Sequence, residues 1–339
     1  IIQERTLAMA MKSTIWLMDP RPDLQNIVDM VEHSFEMSEA SNSPVMMQLR
    51  IRSCHVQGEF IAKDNVSPDV GTKNKFADPA VFEYDKLAHP PVTFSHEKLK
   101  VSARLPAAQR YIVEHGLNEL IEGEQNSVGI IVQGGIYNIL MRRLHVMGLA
   151  DAFGNSQIPI LVLNVTHPLV PDQITDFCAG KNAVLMVEEG NPEFMEHQVN
   201  TMLRKADLNT SLHGKDVLPA AGEYTADVLQ EGLVSFLELA MPTGLNKSGI
   251  QDLVARSNDA RSGGKISLGQ TSPPRPPQFC TGCPERPVFS AIKIIEQEVG
   301  KVHISADIGC HAFATFEPFS MGNSILGYGM SLASAAAVA

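Results

Sequence analysis

The sequence has few aromatics, little positive charge, few cysteines and no long apolar runs, and each shortage excludes something. Aromatic residues make up 6% of the 339, with a single Trp, too few for a stacking platform that binds single-stranded nucleic acid. Lys and Arg number 27 against 38 Asp and Glu, a net charge of −11. Nothing basic enough for a phosphate backbone or an anionic membrane occurs along the chain. No apolar run reaches the length of a membrane span, and no secretory signal opens the sequence. Five cysteines (Cys54, Cys178, Cys280, Cys283 and Cys310) are too few, and odd in number, for a disulfide framework. They suit a reducing cytoplasm, the location expected, and leave room for a metal site. What is present suits a globular chain: 44% hydrophobic and 19% charged residues, long enough for two or three domains. Ile1 opens the sequence and Ser331–Ala339 reads as the middle of a helix, so the chain reads as an internal piece of a longer protein.

Strands and helices alternate. Thr14–Met18 is a short apolar run, closed by Asp19-Pro20-Arg21-Pro22. A helical stripe follows through Leu24, Ile27, Val28, Val31 and Phe35, and Val45–Ile51 resumes as an apolar strand. From about 56 to 98 the chain is polar and Pro-rich (Pro68, Pro79, Pro90, Pro91), like a connecting arm, before a helical stretch from Lys98 to Glu122. The clearest pattern comes next: strands at Ser127–Val132, Ile158–Leu163 and Ala183–Val187, with helices at Ile136–Leu149, Asp172–Ala179 and Pro192–Lys205. Such alternation predicts an α/β fold with a parallel sheet flanked by helices. A stretch rich in Ser, Gly and Pro from Gly244 to Gln278 reads as a linker. A last unit holds a strand-like Val302–Ser305 and the Gly-spaced segment Gly327–Ser331.

The sharpest chemical feature is Cys280-Thr-Gly-Cys283 with Cys310 after a strand. Two thiolates three positions apart reach one metal from a tight turn that Gly282 permits, and a third supplies three of the four sulfurs that an iron–sulfur cluster or a structural zinc takes. Spacing alone leaves a reduced pair beside an unrelated buried cysteine equally open. His303 and His311 are candidate zinc partners, although isolated histidines more often satisfy local hydrogen bonds. Glu188-Glu189, at a strand end, reads as a solvated helix N-terminus rather than an acid–base pair. Gly134-Gly135 lacks the spacing of a phosphate loop.

Four segments resemble, in order, the 2-oxoacid:ferredoxin oxidoreductases that use thiamine diphosphate, in particular the large subunit of the indolepyruvate branch. Phe279–Phe289 is similar to the opening of the diphosphate-binding domain, where that branch reads Cys-Pro-Gly-Cys-Pro-His-Arg. Ala306-Asp-Ile-Gly-Cys310 resembles its Gly-Asp-Ile-Gly-Cys. Val184–Phe194 resembles a middle-domain segment, and Arg52-Ser-Cys-His55 the Arg-x-x-His that closes the pyrimidine-binding domain. The resemblance implies a multidomain α/β chain of thiamine-diphosphate-binding folds with a middle α/β domain of the transketolase C-terminal type. Residues 1–62 correspond to the end of the pyrimidine-binding domain, 63–125 to a connecting arm, and 126–243 to the middle domain. Residues 244–278 form the linker, and 279–339 the start of the diphosphate-binding domain.

The resemblance further implies oxidative decarboxylation of a 2-oxoacid, indolepyruvate or another arylpyruvate. Electrons pass through 4Fe–4S clusters to ferredoxin, and coenzyme A takes the acyl group. Expected partners are a smaller beta subunit in a hetero-oligomer, ferredoxin, coenzyme A and the 2-oxoacid, with neither nucleic acid nor membrane. Arg52 matches the arginine that faces the substrate carboxylate, which suits a guanidinium fork, and His55 a hydrogen-bond donor near the same site. Cys280, Cys283 and Cys310 match cluster ligands; Asp307, Gly309 and Gly327 match the lining of the diphosphate pocket. Glu285 stands where the family usually has His, and Ala306 where it has Gly. The Gly-Asp-Gly…Asn segment that holds Mg²⁺ and the acidic residue that activates the pyrimidine are missing from these residues, so a complete thiamine site is not expected. A non-redox thiamine decarboxylase or synthase, and a zinc-stabilised scaffold, are the alternatives; cluster ligands separate the first from the family, and zinc without iron would favour the second.

Overall fold

The computed structural model describes residues 5–66, 82–267 and 278–339. Pro68 and Pro79 of the expected arm and the Pro-rich core of the expected linker lie outside the described residues. The chain divides into two units, residues 1–260 and 261–339.

The first unit opens with α1 (Thr6–Ser13), β1 (Trp16–Met18), α2 (Leu24–Ser41), β2 (Val45–Met47) and a one-turn α3 (Ile51–Cys54). α2 starts where the Asp23 carboxylate accepts the Asn26 amide at 2.9 Å, and it stops at Asn42, which takes the left-handed φ of 47°. After 66 come α4 (Val92–Leu99), a π-helical stretch (Lys100–Arg104) and α5 (Leu105–Glu114) in one continuous run. Then follow β3 (Glu119–Ile121), β4 (Val128–Gln133), α6 (Tyr137–Val146), β5 (Ile160–Leu163), β6 (Val165–His167), α7 (Pro171–Cys178), β7 (Ala183–Val187), α8 (Phe194–Lys205), β8 (Ser211–His213), α9 (Ala226–Ala240) and α10 (Lys247–Ser267).

The main sheet has the order β3-β5-β4-β7-β8 and is parallel except for β3. Its central strands are apolar on both faces because helices cover both. Val128, Ile130 and Val132 of β4 join Leu140, Leu144 and Phe236 in one core, while Ile131 joins Phe177, Met186 and Val199 in the other. Each such side chain, fully buried, contributes about 1.5–3 kcal/mol. A smaller sheet runs β2-β1-β6, with β1 parallel to β2 and antiparallel to β6. Trp16 and Met18 pack there against Met30, Met37 and Ile112, and the Trp16 indole N–H donates to Ser41 Oγ at 2.7 Å.

Three local expectations change. The strand expected over Val45–Ile51 ends at Met47, since the amides of Ser53 and Cys54 fold back onto the Arg50 carbonyl at 2.8 and 3.1 Å. The helix expected to Glu122 ends at Glu114, and Glu119–Ile121 becomes an antiparallel edge strand on β5. The expected linker carries α10: Asn246 Oδ1 accepts the Gly249 amide at 2.9 Å, and Ile250 and Val254 pack on the first core.

The second unit holds α11 (Arg286–Val299), β9 (Ser305–Ala306), β10 (Ser324–Ile325) parallel to it, and α12 (Ser331–Val338). Its core is aromatic: Phe279, Phe289 and Phe319 with Ala314 and Met321. No helix among the described residues is long and apolar enough to cross a membrane.

Candidate functional site

The carboxyl ends of β1, β2, β4 and β7 bring polar residues together, where open α/β sheets bind their ligands. Asp19 follows β1, Arg50 and Arg52 follow β2, Gln133 ends β4, and Glu188 and Glu189 follow β7. Arg50 is the hub. It donates from Nε and Nη2 to Asp19 Oδ2 at 3.0 and 2.8 Å, and from Nη1 to Glu189 Oε1 at 2.7 Å. Arg52 Nη2 donates to Glu189 Oε2 at 2.7 Å and to Glu223 Oε1 at 3.1 Å. Glu189 also accepts the Tyr224 amide at 2.6 Å, and its own amide donates to Gln133 Oε1 at 2.8 Å. Burial pushes the Glu189 pKa up, but the Arg52 hydrogen bond and the Arg50 charge outweigh it, so the net shift is down. Glu189 is therefore held ionised between two guanidiniums.

Gly134-Gly135 is there for space. A Cβ on Gly134 would stand 2.1 Å from the Asp19 carbonyl oxygen, and one on Gly135 2.4 Å from Asp19 Oδ1 and 2.6 Å from Arg50 Cδ. The glycines let the β4–α6 turn close against the ion pair.

Glu188 is not the solvated residue expected. It is buried and caps α8, accepting the Met195 and Glu196 amides at 3.0 and 2.9 Å. Burial raises its pKa against those two bonds. Beside it, Lys215 Nζ donates to the Glu188 carbonyl and to the Tyr224 hydroxyl, at 2.5 and 2.6 Å, and burial lowers the Lys215 pKa.

Of the residues singled out in the sequence, Arg52 enters this cluster and His55 stands exposed at the end of α3, outside it. Arg50, Asp19 and Glu223 were not anticipated.

The remaining candidates lie in the second unit. Cys280-Thr-Gly-Cys283 forms the expected tight turn: Gly282 takes a φ of +75° and the Cys283 amide donates to the Cys280 carbonyl at 3.1 Å. Cys280 and Cys310 are exposed and Cys283 half-buried, all as free thiols. Among the described residues no three His, Cys, Asp or Glu side chains converge to hold a metal ion. As placed, the three cysteines do not fit a metal site. His311, next to Cys310 in the chain, pairs with Glu285, Nε2 to Oε2 at 3.5 Å.

Asp307 serves its own backbone. Its Oδ1 accepts the Gly329 and Ile308 amides at 2.7 and 3.0 Å, and Oδ2 accepts the Ser331 hydroxyl at 3.0 Å, at the start of α12. Desolvation raises its pKa, the Gly329, Ser331 and Ile308 bonds lower it, and the net shift is down. Gly309 adopts a φ of +124° with open space where a Cβ would stand, and a Cβ on Gly327 would meet Met330. The Asp307 carboxylate is thus engaged within its own segment, while the backbone at Gly309 borders open space.

No family model matches the chain. Its curated relatives include indolepyruvate oxidoreductase subunit IorA of Methanothermobacter thermautotrophicus, 26% identical over 325 residues, covering 93% of this chain and 46% of that protein. The IorA subunit of Thermococcus kodakarensis is 28% identical over 322 residues, covering 90% and 45%. Among solved structures, a 2-oxoglutarate:ferredoxin oxidoreductase of Magnetococcus marinus superposes with a TM-score of 0.38 at 15% identity, over 66% of this chain and 42% of that one. The chain spans about half the length of the curated relatives it matches. Along nearly its whole length, the chain resembles the IorA subunit of the indolepyruvate oxidoreductases.

Proposed function

We propose that this chain is part of a 2-oxoacid:ferredoxin oxidoreductase that converts indolepyruvate, or another arylpyruvate, and coenzyme A to the acyl-CoA and carbon dioxide, with ferredoxin taking the electrons. The observation that carries the reading is the similarity to IorA subunits over about nine-tenths of the chain. On this reading residues 1–62 belong to a pyrimidine-binding domain, 126–243 to the middle domain and 279–339 to a diphosphate-binding domain, joined by the arm 63–125 and the linker 244–278. A smaller beta subunit completes the enzyme in the cytoplasm.

The contribution of the chain's own residues is orientation. Arg52, whose guanidinium fork faces Glu189 with Nη1 at 3.5 Å and Nη2 at 2.7 Å, presents to the carboxylate of the 2-oxoacid the Nη2 edge that now donates to Glu223. Glu189 positions that fork by binding Arg52 and Arg50 with its two oxygens, at 2.7 Å each. The Arg50–Asp19 pair, almost wholly buried, fixes Glu189 in turn. Thiamine diphosphate with Mg²⁺ and 4Fe–4S clusters supply the decarboxylation and electron chemistry in the enzyme proposed. Among the described residues no three His, Cys, Asp or Glu side chains gather to hold a metal ion.

The test is anaerobic reduction of ferredoxin by the assembled enzyme, given thiamine diphosphate and coenzyme A. Reduction that depends on indolepyruvate or an arylpyruvate is expected; none with any 2-oxoacid overturns the reading.

A further inference from the structure

Two carboxylates share Arg52, and they are not alike. Glu189 is 10% exposed and fixed at both of its oxygens by Arg50, Arg52 and the Tyr224 amide. Glu223 is 39% exposed, meets Arg52 at the longer distance of 3.1 Å, and sits on the exposed stretch 220–223, where Gly222 takes a φ of +99°. Arg52 itself is 18% exposed, and its bond to Glu223 is exposed where its bond to Glu189 is partly buried. An exposed ion pair of this kind is worth about 0–1 kcal/mol, so another carboxylate can displace it.

We infer that Glu223 is an exchangeable carboxylate, which covers the outer face of Arg52 and gives way there to the carboxylate of a 2-oxoacid. This rests on the proposed role of Arg52. Charge balance selects the ligand class. The ion pairs join three carboxylates (Asp19, Glu189, Glu223) to two guanidiniums, and Lys215 beside them is itself outnumbered by Glu188, Glu193 and Glu196. Replacing Glu223 by the carboxylate of a monoanion leaves that balance unchanged, whereas a phosphate dianion adds negative charge to a site already in excess of it. Glu223 is thus a specificity element: it sets the affinity of Arg52 for carboxylates and disfavours ligands unable to displace it.

The experiment is calorimetric titration of the full chain with indolepyruvate, and with inorganic phosphate, for the wild type, Glu223→Ala, Glu223→Gln and Arg52→Ala. Trp16 fluorescence confirms that each variant folds. Removing the competing charge tightens indolepyruvate binding about two- to fivefold in both Glu223 variants, and Arg52→Ala weakens it about 10- to 150-fold. Phosphate binds the wild type more weakly than indolepyruvate. If Arg52→Ala weakens binding while both Glu223 variants match the wild type or bind more weakly, the exchange is refuted and the role of Arg52 stands. Phosphate binding the wild type as tightly as indolepyruvate refutes the selection by charge. If Arg52→Ala binds like the wild type, or no protein binds indolepyruvate, the role of Arg52 fails and the exchange with it.

Discussion

Replacing Arg50 by Met should be among the most damaging substitutions in the first unit. Arg50 and Asp19 have side chains 6% and 1% exposed, and Arg50 also binds Glu189 at 2.7 Å. Methionine fills much of the volume but leaves two carboxylates facing a pocket without their shared cation. Breaking a buried pair from one side costs about 3–5 kcal/mol, more than the about 1.5–3 kcal/mol of one charge-assisted hydrogen bond, because Asp19 and Glu189 both lose a partner. Urea unfolding followed by fluorescence reads this unit alone, since Trp16 is the only Trp and lies fully buried on the strand that leads to Asp19. The double variant Asp19→Asn with Arg50→Met should recover part of the loss by removing one of the stranded charges. Because the Glu189 pKa is lowered in the fold, its contribution is present above the ordinary carboxylate value of about 4.3 and is lost as pH falls through the lower folded value. The gap between wild type and Arg50→Met should therefore narrow below about pH 4. A loss under about 1 kcal/mol at pH 7, or a gap that widens in acid, refutes the reasoning.

Gly135→Ala should lower the unfolding free energy by about 1–3 kcal/mol, the penalty for overpacking, because its Cβ falls 2.4 Å from Asp19 Oδ1; an unchanged urea midpoint contradicts the close-packed turn. Burial depresses His167 from 6.5 to about 4, with neither ring nitrogen hydrogen-bonded. The unfolded chain binds the extra proton first, so stability falls as pH drops from 6.5 toward 4, and His167→Phe should flatten that slope in acid titrations of the unfolding midpoint. Asp307→Asn should speed hydrogen exchange at the Gly329 amide, which Asp307 binds at 2.7 Å; unaltered exchange would count against its role at the start of α12.

What the sequence made legible was local. Val128–Val132 and Ala183–Val187 are apolar on both faces, and such runs read as strands buried between helices without further help. The Cys280–Cys283 turn was readable for the same reason, since Gly282 alone permits it. Arg50 was not. Its partners lie 31 and 139 residues away, and nothing in the neighbourhood of an arginine separates a buried hub from a solvated side chain. Gly134-Gly135 stood out, but its cause is a steric contact with Asp19, just past the end of β1. Whether Cys310 meets Cys280 and Cys283 is likewise a tertiary matter, and among the described residues no metal-holding group of three forms. Glu119–Ile121 continued a helical pattern and became an edge strand because pairing with β5 outweighs its own weak preference.

Whether Arg52 reads the substrate carboxylate is tested most directly by the KM for indolepyruvate in the assembled enzyme with Arg52→Ala. Losing a charge-assisted hydrogen bond worth about 1.5–3 kcal/mol should raise KM about 10- to 150-fold, with Arg52→Lys recovering part of it. A KM within about twofold of the wild type would contradict the proposal that this cluster binds the 2-oxoacid.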